Sequence, residues 1–341
     1  SLSSSSTPLV SVVLPAWNAA HTLGAALQSL LDQRPSPHGP VPEFEVVVVD
    51  DGSADDTRQL LEHWRSAHLL GNRLRPLYLP HGGIVTALNA GLTAARGTLV
   101  ARMDADDTAH PYRIASQTAH LYDNEHIDLS ATCVAFGGDR ELAHGFAHFV
   151  DWQNSLLSHE QISRARFRDT PVCHPSVMFR RHCVEKWGAY RDGDFAEDWE
   201  IWLRWLHHGA VMEKLPEQML VWNDAPTRAT RADRRYAREA CDKLRAVWLA
   251  RWLEQAEAHC LVAAPAQLAN LLKWFPTAGP KNLAGVLSSA EPLDAALGQS
   301  LRQHWQCEVL DHYGLTETAY GGAVECTAHN GFHVWELDVF I

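Results

Sequence analysis

The sequence predicts an α/β fold, a mostly parallel sheet flanked by helices and followed by a small partial α/β segment. Three observations carry this expectation. Short apolar runs alternate with stretches of helical periodicity through the first hundred residues. The runs are apolar on both faces, as strands covered by helices on either side must be. Carboxylates gather just past the ends of the runs, where ligands bind to such sheets.

Residues 10–14 read as the first strand. Over 22–31, Leu23, Ala26, Leu27, Leu30 and Leu31 recur at helical spacing. Residues 44–49 form a second strand rich in β-branched side chains. Ser53-Ala54-Asp55-Asp56 predicts a capping box ahead of a helix through Trp64. A third strand over 74–79, a third helix over 85–95 and a fourth strand over 99–103 complete the alternation that builds a parallel sheet. Pro111 opens a helix to about residue 124, and 127–136 is strand-like. The stretch 146–171 is mixed. Helical periodicity returns over 197–208 and 232–254. Beyond 255 an Ala/Leu-rich stretch gives way to turn-forming residues, so two domains are expected, 1–255 and 256–341.

Composition narrows the function. Hydrophobic residues make up 46% and charged residues 21% of the 341, ordinary globular usage. A net charge of −12 argues against nucleic acid as a partner. No apolar run approaches the ~20 residues of a membrane helix, which leaves only peripheral contact with a membrane-borne acceptor open. The Ser-rich start has neither the basic region nor the apolar core of a signal peptide. Seven cysteines without a C-x-x-C pair fit a reduced, cytoplasmic compartment.

The chemistry stands after the strands. The first is followed by Pro15-Ala16-Trp17-Asn18, the second by Asp50-Asp51-Gly52-Ser53-Ala54-Asp55-Asp56, the fourth by Asp104-Ala105-Asp106-Asp107. A lone Asp at a strand end most often makes an Asx-turn or a helix cap. Seven carboxylates in two clusters repel one another unless a cation or hydrogen-bond donors offset the charge. The cluster at 104–107 suits a hard divalent cation, which takes oxygen ligands and shares its shell with phosphates. No G-x-G-x-x-G follows the first strand and no G-x-x-x-x-G-K-[ST] occurs, so dinucleotide and P-loop readings lose their support.

These motifs resemble the family 2 glycosyltransferases of the GT-A fold. The resemblance rests on Ser11-Val-Val-Leu-Pro-Ala-Trp-Asn18, Val47-Val-Val-Asp-Asp-Gly-Ser53, Ala87-Leu-Asn-Ala-Gly91 with Gly97, Met103-Asp-Ala-Asp-Asp107 and Glu197-Asp-Trp-Glu-Ile-Trp-Leu-Arg204, in family order over about 8–252. It implies a nucleotide-sugar donor, with UDP favoured by likeness, and a glycan, lipid-linked or protein acceptor. By the resemblance Trp17 stacks on the base, Asp50 and Asp51 hold base and ribose, and Pro15, Asn18, Asn89, Arg102 and Asp104 complete the donor contacts. Asp104, Asp106 and Asp107 would hold Mn²⁺ or Mg²⁺ on the diphosphate. Asp198, beside Glu197, would be the general base of an inverting transfer.

The last motif also has a reading of its own. In a helix starting near 197, positions 198, 202, 205 and 209 share one face. Asp198 then lies on the stripe of Trp202 and Trp205, and a carboxylate on an apolar face is a candidate base with a raised pKa. The plainer reading is that Glu197 and Asp198 complement the helix dipole.

Weaker signals remain. Cys173-His174 and His182-Cys183 could be zinc ligands, but the spacing matches no tetrahedral site. The family likeness instead places His174 and Arg180 at the acceptor or diphosphate. Eight of thirteen Trp lie between 152 and 252. Some could stack on sugar, although Trp is mostly core. Arg228, Arg231, Arg234, Arg235 and Arg238 form a basic cluster that reads first as a solvated helix face, with an acceptor phosphate or anionic lipid as the alternatives. Further on, Leu287-Ser-Ser-Ala-Glu-Pro-Leu293 and Val309-Leu-Asp-His-Tyr-Gly-Leu-Thr-Glu-Thr318 resemble a piece of the AMP-dependent synthetase/CoA ligase superfamily, in which Tyr313, Thr316 and Glu317 would contact nucleotide and Mg²⁺. That family's phosphate loop is missing and Val339-Phe340-Ile341 reads as mid-strand, so a partial segment is expected. A ligase fragment and a non-catalytic nucleotide-sugar-binding module are the competing readings.

Overall fold

The computed structural model describes residues 9–224, 233–313, 323–325 and 332–334. The chain forms two compact units, Ser1–Cys241 and Asp242–Ile341. The division falls inside a helix, Arg238–Gln255, rather than at its end.

In the first unit the alternation runs β1 (Val10–Ala16), α1 (Leu23–Leu31), β2 (Phe44–Asp51), α2 (Thr57–Ser66), β3 (Leu74–Leu79), α3 (Ile84–Ala94) and β4 (Leu99–Arg102). There follow β5 (Thr108–Ala109), α4 (Arg113–Asp123), β6 (Leu129–Phe136), α5 (His144–Asn154) and α6 (His159–Ala165). The unit continues with β7 (Met178–Arg180), α7 (His182–Trp187), α8 (Glu197–His207) and β8 (Met212–Trp222). Its eight strands lie in the order β3-β2-β1-β4-β7-β6-β8-β5. β1 pairs in parallel with β2 and β4, and β2 with β3. β7 runs antiparallel to β4 and β6. The order 3-2-1-4 sets the reversal between β1 and β4, the place where a crevice opens beyond the carboxyl ends of parallel strands.

Alternation along β1 divides the core. Val10, Val12 and Leu14 pack with Leu23 and Leu27 of α1. Val13 faces the other way, with Val85 and Leu88 of α3 and Trp202 and Trp205 of α8. Gly91 is where α3 crosses β1, and a Cβ there would run into Val13 Cγ1. The motif glycine therefore serves close packing. The expected capping box does not form. Ser53 accepts from the Asn18 amide at 2.9 Å, and α2 starts at Thr57 with no side-chain cap from Asp56.

α8 is buried almost all round. Its Arg204 meets Glu200 at 2.9 Å, both charges buried, and donates to the carbonyls of Trp187, Gly188 and Ala189. Arg204→Met leaves Glu200 a buried charge with a poor partner, a loss of about 3–5 kcal/mol. At roughly 2–4 °C per kcal/mol, the melting midpoint of this unit should fall by about 10 °C. A shift under 2 °C by differential scanning calorimetry would refute this role for the pair, the scale being about 1 kcal/mol or less.

The second unit comprises α9 (Arg238–Gln255, shared with the first), β9 (Cys260–Ala263), α10 (Pro265–Trp274), β10 (Gly285–Ser288), α11 (Ala295–Trp305), β11 (Glu308–Tyr313), β12 (Ala323–Glu325) and β13 (Phe332–Val334). Its sheet order is β13-β12-β11-β10-β9, with β9, β10 and β11 parallel, around Leu268, Leu301 and Val309. Among the described residues no helix is long and apolar enough to cross a membrane.

Candidate active site

The loops after β1 and β2 are stitched together. Asn18 adopts φ 49°, a left-handed conformation that Asn tolerates. Its amide donates to Ser53 Oγ at 2.9 Å, and its Oδ1 accepts from the Ala54 amide at 2.8 Å. Pro15 is buried in β1, opposite Val49. Asp50 accepts from the Ser53 amide at 3.0 Å. Asp51 is committed within the chain. Its two oxygens accept from the amides of Gly82 and Gly83 at 2.8 and 2.9 Å, and His81 Nδ1 lies 2.9 Å from Oδ2. Gly52, at φ +70°, turns tightly enough that a Cβ would come within 2.5 Å of the His81 amide nitrogen. This clamp presents His81 to Trp17, and the rings stack with centroids 4.7 Å apart and planes 21° apart. Trp17 is 56% exposed, so its indole is a flat surface at the lip of the crevice. His81 carries no sequence signal. A cleft of about 480 Å³ opens beside Gly83, walled by residues 192–194 and 233–235.

Past β4, Asp104, Asp106 and Asp107 each offer a carboxylate oxygen, all within 4.8 Å of one another. Asp107 is buried. Its Oδ1 accepts from the Asn223 amide at 2.9 Å, while Oδ2 has no hydrogen-bond partner among the described residues. Burial, then the charges of Asp104 and Asp106, push its pKa well above the usual carboxylate range. An orphaned buried oxygen among three close carboxylates, with oxygen donors only, fits a hard divalent cation.

Arg102 adjoins this cluster. It is 4% exposed and meets Asp104 at 2.6 Å through Nη2, while Nε and Nη1 have no partner among the described residues. Although burial opposes its charge, Asp104 holds its pKa above the ordinary value. Tyr190, buried close by, bonds His174 Nε2 through its hydroxyl at 2.7 Å. Burial, then Arg102, keep His174 neutral, its pKa well below 6.5. Asn89 fixes Tyr190 from α3. Nδ2 donates to its carbonyl at 2.9 Å and Oδ1 accepts from its amide at 3.1 Å. Asn89 is therefore a positioning side chain for Tyr190.

The second acidic centre is the first turn of α8. Glu197 is buried, with both oxygens accepting from Tyr236 Oη at 2.8 Å and Arg235 3.8 Å away. Asp198 is half-buried and accepts from the Trp199 amide at 2.8 Å. Burial, then the charge of Glu197, push its pKa up to about 7. Arg102 pulls against the shift at both carboxylates. As the face argument requires, Trp202 and Trp205 are fully buried below Asp198.

One expectation needs correction. His174 lies in the short 3-10 turn His174–Ser176 that precedes β7, and Arg180 is the last residue of that strand. Arg180, paired with Leu99 at the start of β4, donates to the carbonyls of Leu121, Asn124 and Ile127 and closes the end of α4. It does not line the crevice. The Cys173-His174 and His182-Cys183 pairs lie on either side of β7 and form no joint cluster of possible metal ligands, in line with the reading against zinc. His182 and Cys183 lie beside Asp128 instead. In the basic cluster Arg234 pairs with Asp194 and Arg235 with Asp233, so these cations are engaged within the chain. Arg228, Arg231, Thr316 and Glu317 lie outside the described residues, and Tyr313 closes β11.

Comparison with known proteins adds an independent line. The model of the family "Glycosyl transferase family 2" matches residues 11–188. An uncharacterised glycosyltransferase of Haemophilus influenzae is 28% identical over 201 residues, 57% of this chain and 59% of that protein. The match thus falls well short of that relative's full length. The O-antigen biosynthesis glycosyltransferase WbnJ of Escherichia coli is 24% identical over 200 residues, 58% of this chain and 72% of the relative. Among solved structures, S. aureus TarS in complex with UDP-GlcNAc superposes with a TM-score of 0.54 at 20% identity, covering 72% of each chain. The mannosyltransferase PcManGT from Pyrobaculum calidifontis, in complex with GDP-Man and Mn²⁺, gives 0.50 at 21% identity, covering 74% of this chain and 65% of its own.

Proposed function

Because the chain belongs to glycosyl transferase family 2 and has the GT-A fold, we propose that its first unit moves a sugar from a nucleotide-sugar donor to an acceptor hydroxyl with inversion. The observation that carries this reading is the pair of acidic centres on either side of Arg102 and Tyr190. One is a cluster of oxygen donors with an orphaned oxygen, the other a single carboxylate whose pKa sits near neutrality.

Trp17, backed by His81, offers its exposed face to the base. Asp50, with one oxygen used inside the chain, takes the base or ribose, and Asp51 holds the 81–83 wall rather than the nucleotide. Asp104, Asp106 and Asp107 would hold Mn²⁺ or Mg²⁺, which when bound acts as a Lewis acid on the donor diphosphate. The charge of Arg102 acts on both centres, on Asp104 and Asp107 at one and on Glu197 and Asp198 at the other. Asp198 takes the proton of the acceptor hydroxyl as that oxygen attacks the anomeric carbon. The bond to the diphosphate breaks on the opposite face, and the nucleoside diphosphate leaves with the electron pair through an oxocarbenium-like transition state. Glu197, tied to Tyr236, raises the proton affinity of Asp198 through its charge.

UDP is the favoured nucleotide by family likeness, and GDP is the alternative the mannosyltransferase structure brings forward. Calorimetric titration of UDP, GDP and ATP with Mn²⁺ and then with EDTA tests the reading. Expected is micromolar binding of UDP that disappears with EDTA. Tighter GDP binding would reassign the nucleotide. Binding of ATP alone would favour the ligase-like reading of the second unit and sink the transferase.

A further inference from the structure

One half of the Cys173-His174 and His182-Cys183 pattern acquires a third side chain from elsewhere in the chain. His182 and Cys183 open α7, and Asp128 stands one residue before β6. Asp128 Oδ1 lies 3.6 Å from His182 Nε2 and 3.9 Å from Cys183 Sγ, and the three ligand atoms fall within 4.8 Å of one another. Bonds of about 2.0–2.3 Å from a tetrahedral ion set its ligand atoms about 3.3–3.6 Å apart. The histidine–carboxylate separation is too long for a hydrogen bond and close to that edge.

Asp128 is held in place by the sheet. Its amide donates to the Val211 carbonyl at 2.9 Å and its carbonyl accepts from the Arg180 amide at 3.0 Å. Oδ2 accepts from the Val211 amide at 2.9 Å, which turns Oδ1 toward His182 and Cys183. A ligand oriented in advance by bonds of this kind costs little to organise around a metal. Cys183 is buried beneath, while 54% of the His182 side chain is exposed, so the histidine marks the side from which an ion enters. An ionised Asp, a thiolate and a neutral imidazole together neutralise a divalent cation. Burial, then the Asp128 charge, push the Cys183 pKa up to about 12, so binding must release the thiol proton to solvent.

We propose that Asp128, His182 and Cys183 bind a borderline divalent cation, Zn²⁺ foremost, at a site separate from the acidic cluster past β4. One oxygen, one nitrogen and one sulfur make a donor set for Zn²⁺ rather than for Mg²⁺ or Mn²⁺, which the three oxygens of the other cluster suit. The two sites stand at opposite ends of the sheet. β7 pairs Arg180 with Leu99 and Phe179 with Leu129, so Asp128 lies toward the amino end of β4, whereas Asp104 follows its carboxyl end. An ion at the new site joins the entry to β6 to the start of α7, independently of the transferase reading.

Co²⁺ titrated into the full chain and followed by absorption tests the site. A thiolate on tetrahedral Co²⁺ gives a near-ultraviolet charge-transfer band and strong visible bands, which a cluster of oxygens alone does not. About one equivalent should produce both, in the wild type and in Asp107→Asn alike, and Zn²⁺ should abolish them. Cys183→Ser should lose the charge-transfer band although the other cysteines remain. His182→Ala, at an exposed position that does not threaten folding, should weaken Co²⁺ binding at least about tenfold. Asp128→Asn, which keeps an acceptor for the Val211 amide, should weaken it likewise. No thiolate band in the wild type, an unchanged band in Cys183→Ser, or unchanged affinity in His182→Ala overturns the site.

Discussion

Asp198→Asn is expected to lower kcat by about 10²–10⁴-fold, the contribution of a positioned general base, while UDP binding with Mn²⁺ stays intact. The amide keeps the shape of the side chain and the bond from the Trp199 amide, so the loss reports proton transfer rather than folding. The pH profile gives a second reading of the same group. A base works deprotonated. With its pKa pushed up to about 7 by burial and by Glu197, kcat should rise as pH increases through about 7 and level off above it. Glu197→Gln removes the neighbouring charge while still accepting from Tyr236, so the rising limb should move to lower pH. An Asn variant with undiminished kcat, or a profile flat from pH 5 to 9, would take the role away from Asp198.

Asp107→Asn should separate the charge from the packing at the other centre. The Asn side chain can still accept from the Asn223 amide, but the cluster loses a buried oxygen that has no partner in the chain. UDP affinity in Mn²⁺ is expected to fall by at least about 100-fold, on the scale of lost metal-site contacts. Stability should change in the opposite sense. Without cation, the three carboxylates repel one another across a small gap, so the metal-free variant should melt a few degrees above metal-free wild type. Mn²⁺ at a hundredfold excess over its Kd should then stabilise the wild type by about 2.7 kcal/mol and the variant hardly at all. If Mn²⁺ leaves the wild-type melting curve unmoved, the cluster is no cation site.

Much of the crevice was legible before any coordinates. β1, β2 and β4 are covered on both faces, so they read as unbroken apolar runs, and the residues just past them carry the carboxylates. Asp198 could be placed over Trp202 and Trp205 because the 3.6-residue period of a buried helix is a local property. Other parts had no local signal. His81 stacks on Trp17 only because Asp51 draws the 81–83 loop across, and Tyr236 reaches Glu197 from 39 residues away. His174 and Arg180 look like one motif, but His174 sits in the turn before β7 and Arg180 at the far end of that strand, opposite the start of β4.

By itself the sequence determined the alternation of the sheet, the place of its crevice and the kinds of side chain gathered there, because periodicity and strand-end chemistry are written in neighbouring residues. Only the tertiary structure decided what those side chains are free to do. Asp50 and Asp51 are adjacent and chemically alike, yet Asp51 is bound up by three donors of the 81–83 loop while Asp50 is engaged by one amide. Glu197 and Asp198 differ in the same way, one capped by Tyr236 and the other left to titrate near neutrality. A carboxylate's burial, its hydrogen bonds and the charges around it are set by residues distant in the chain, and those three quantities fix its proton affinity and its chemistry.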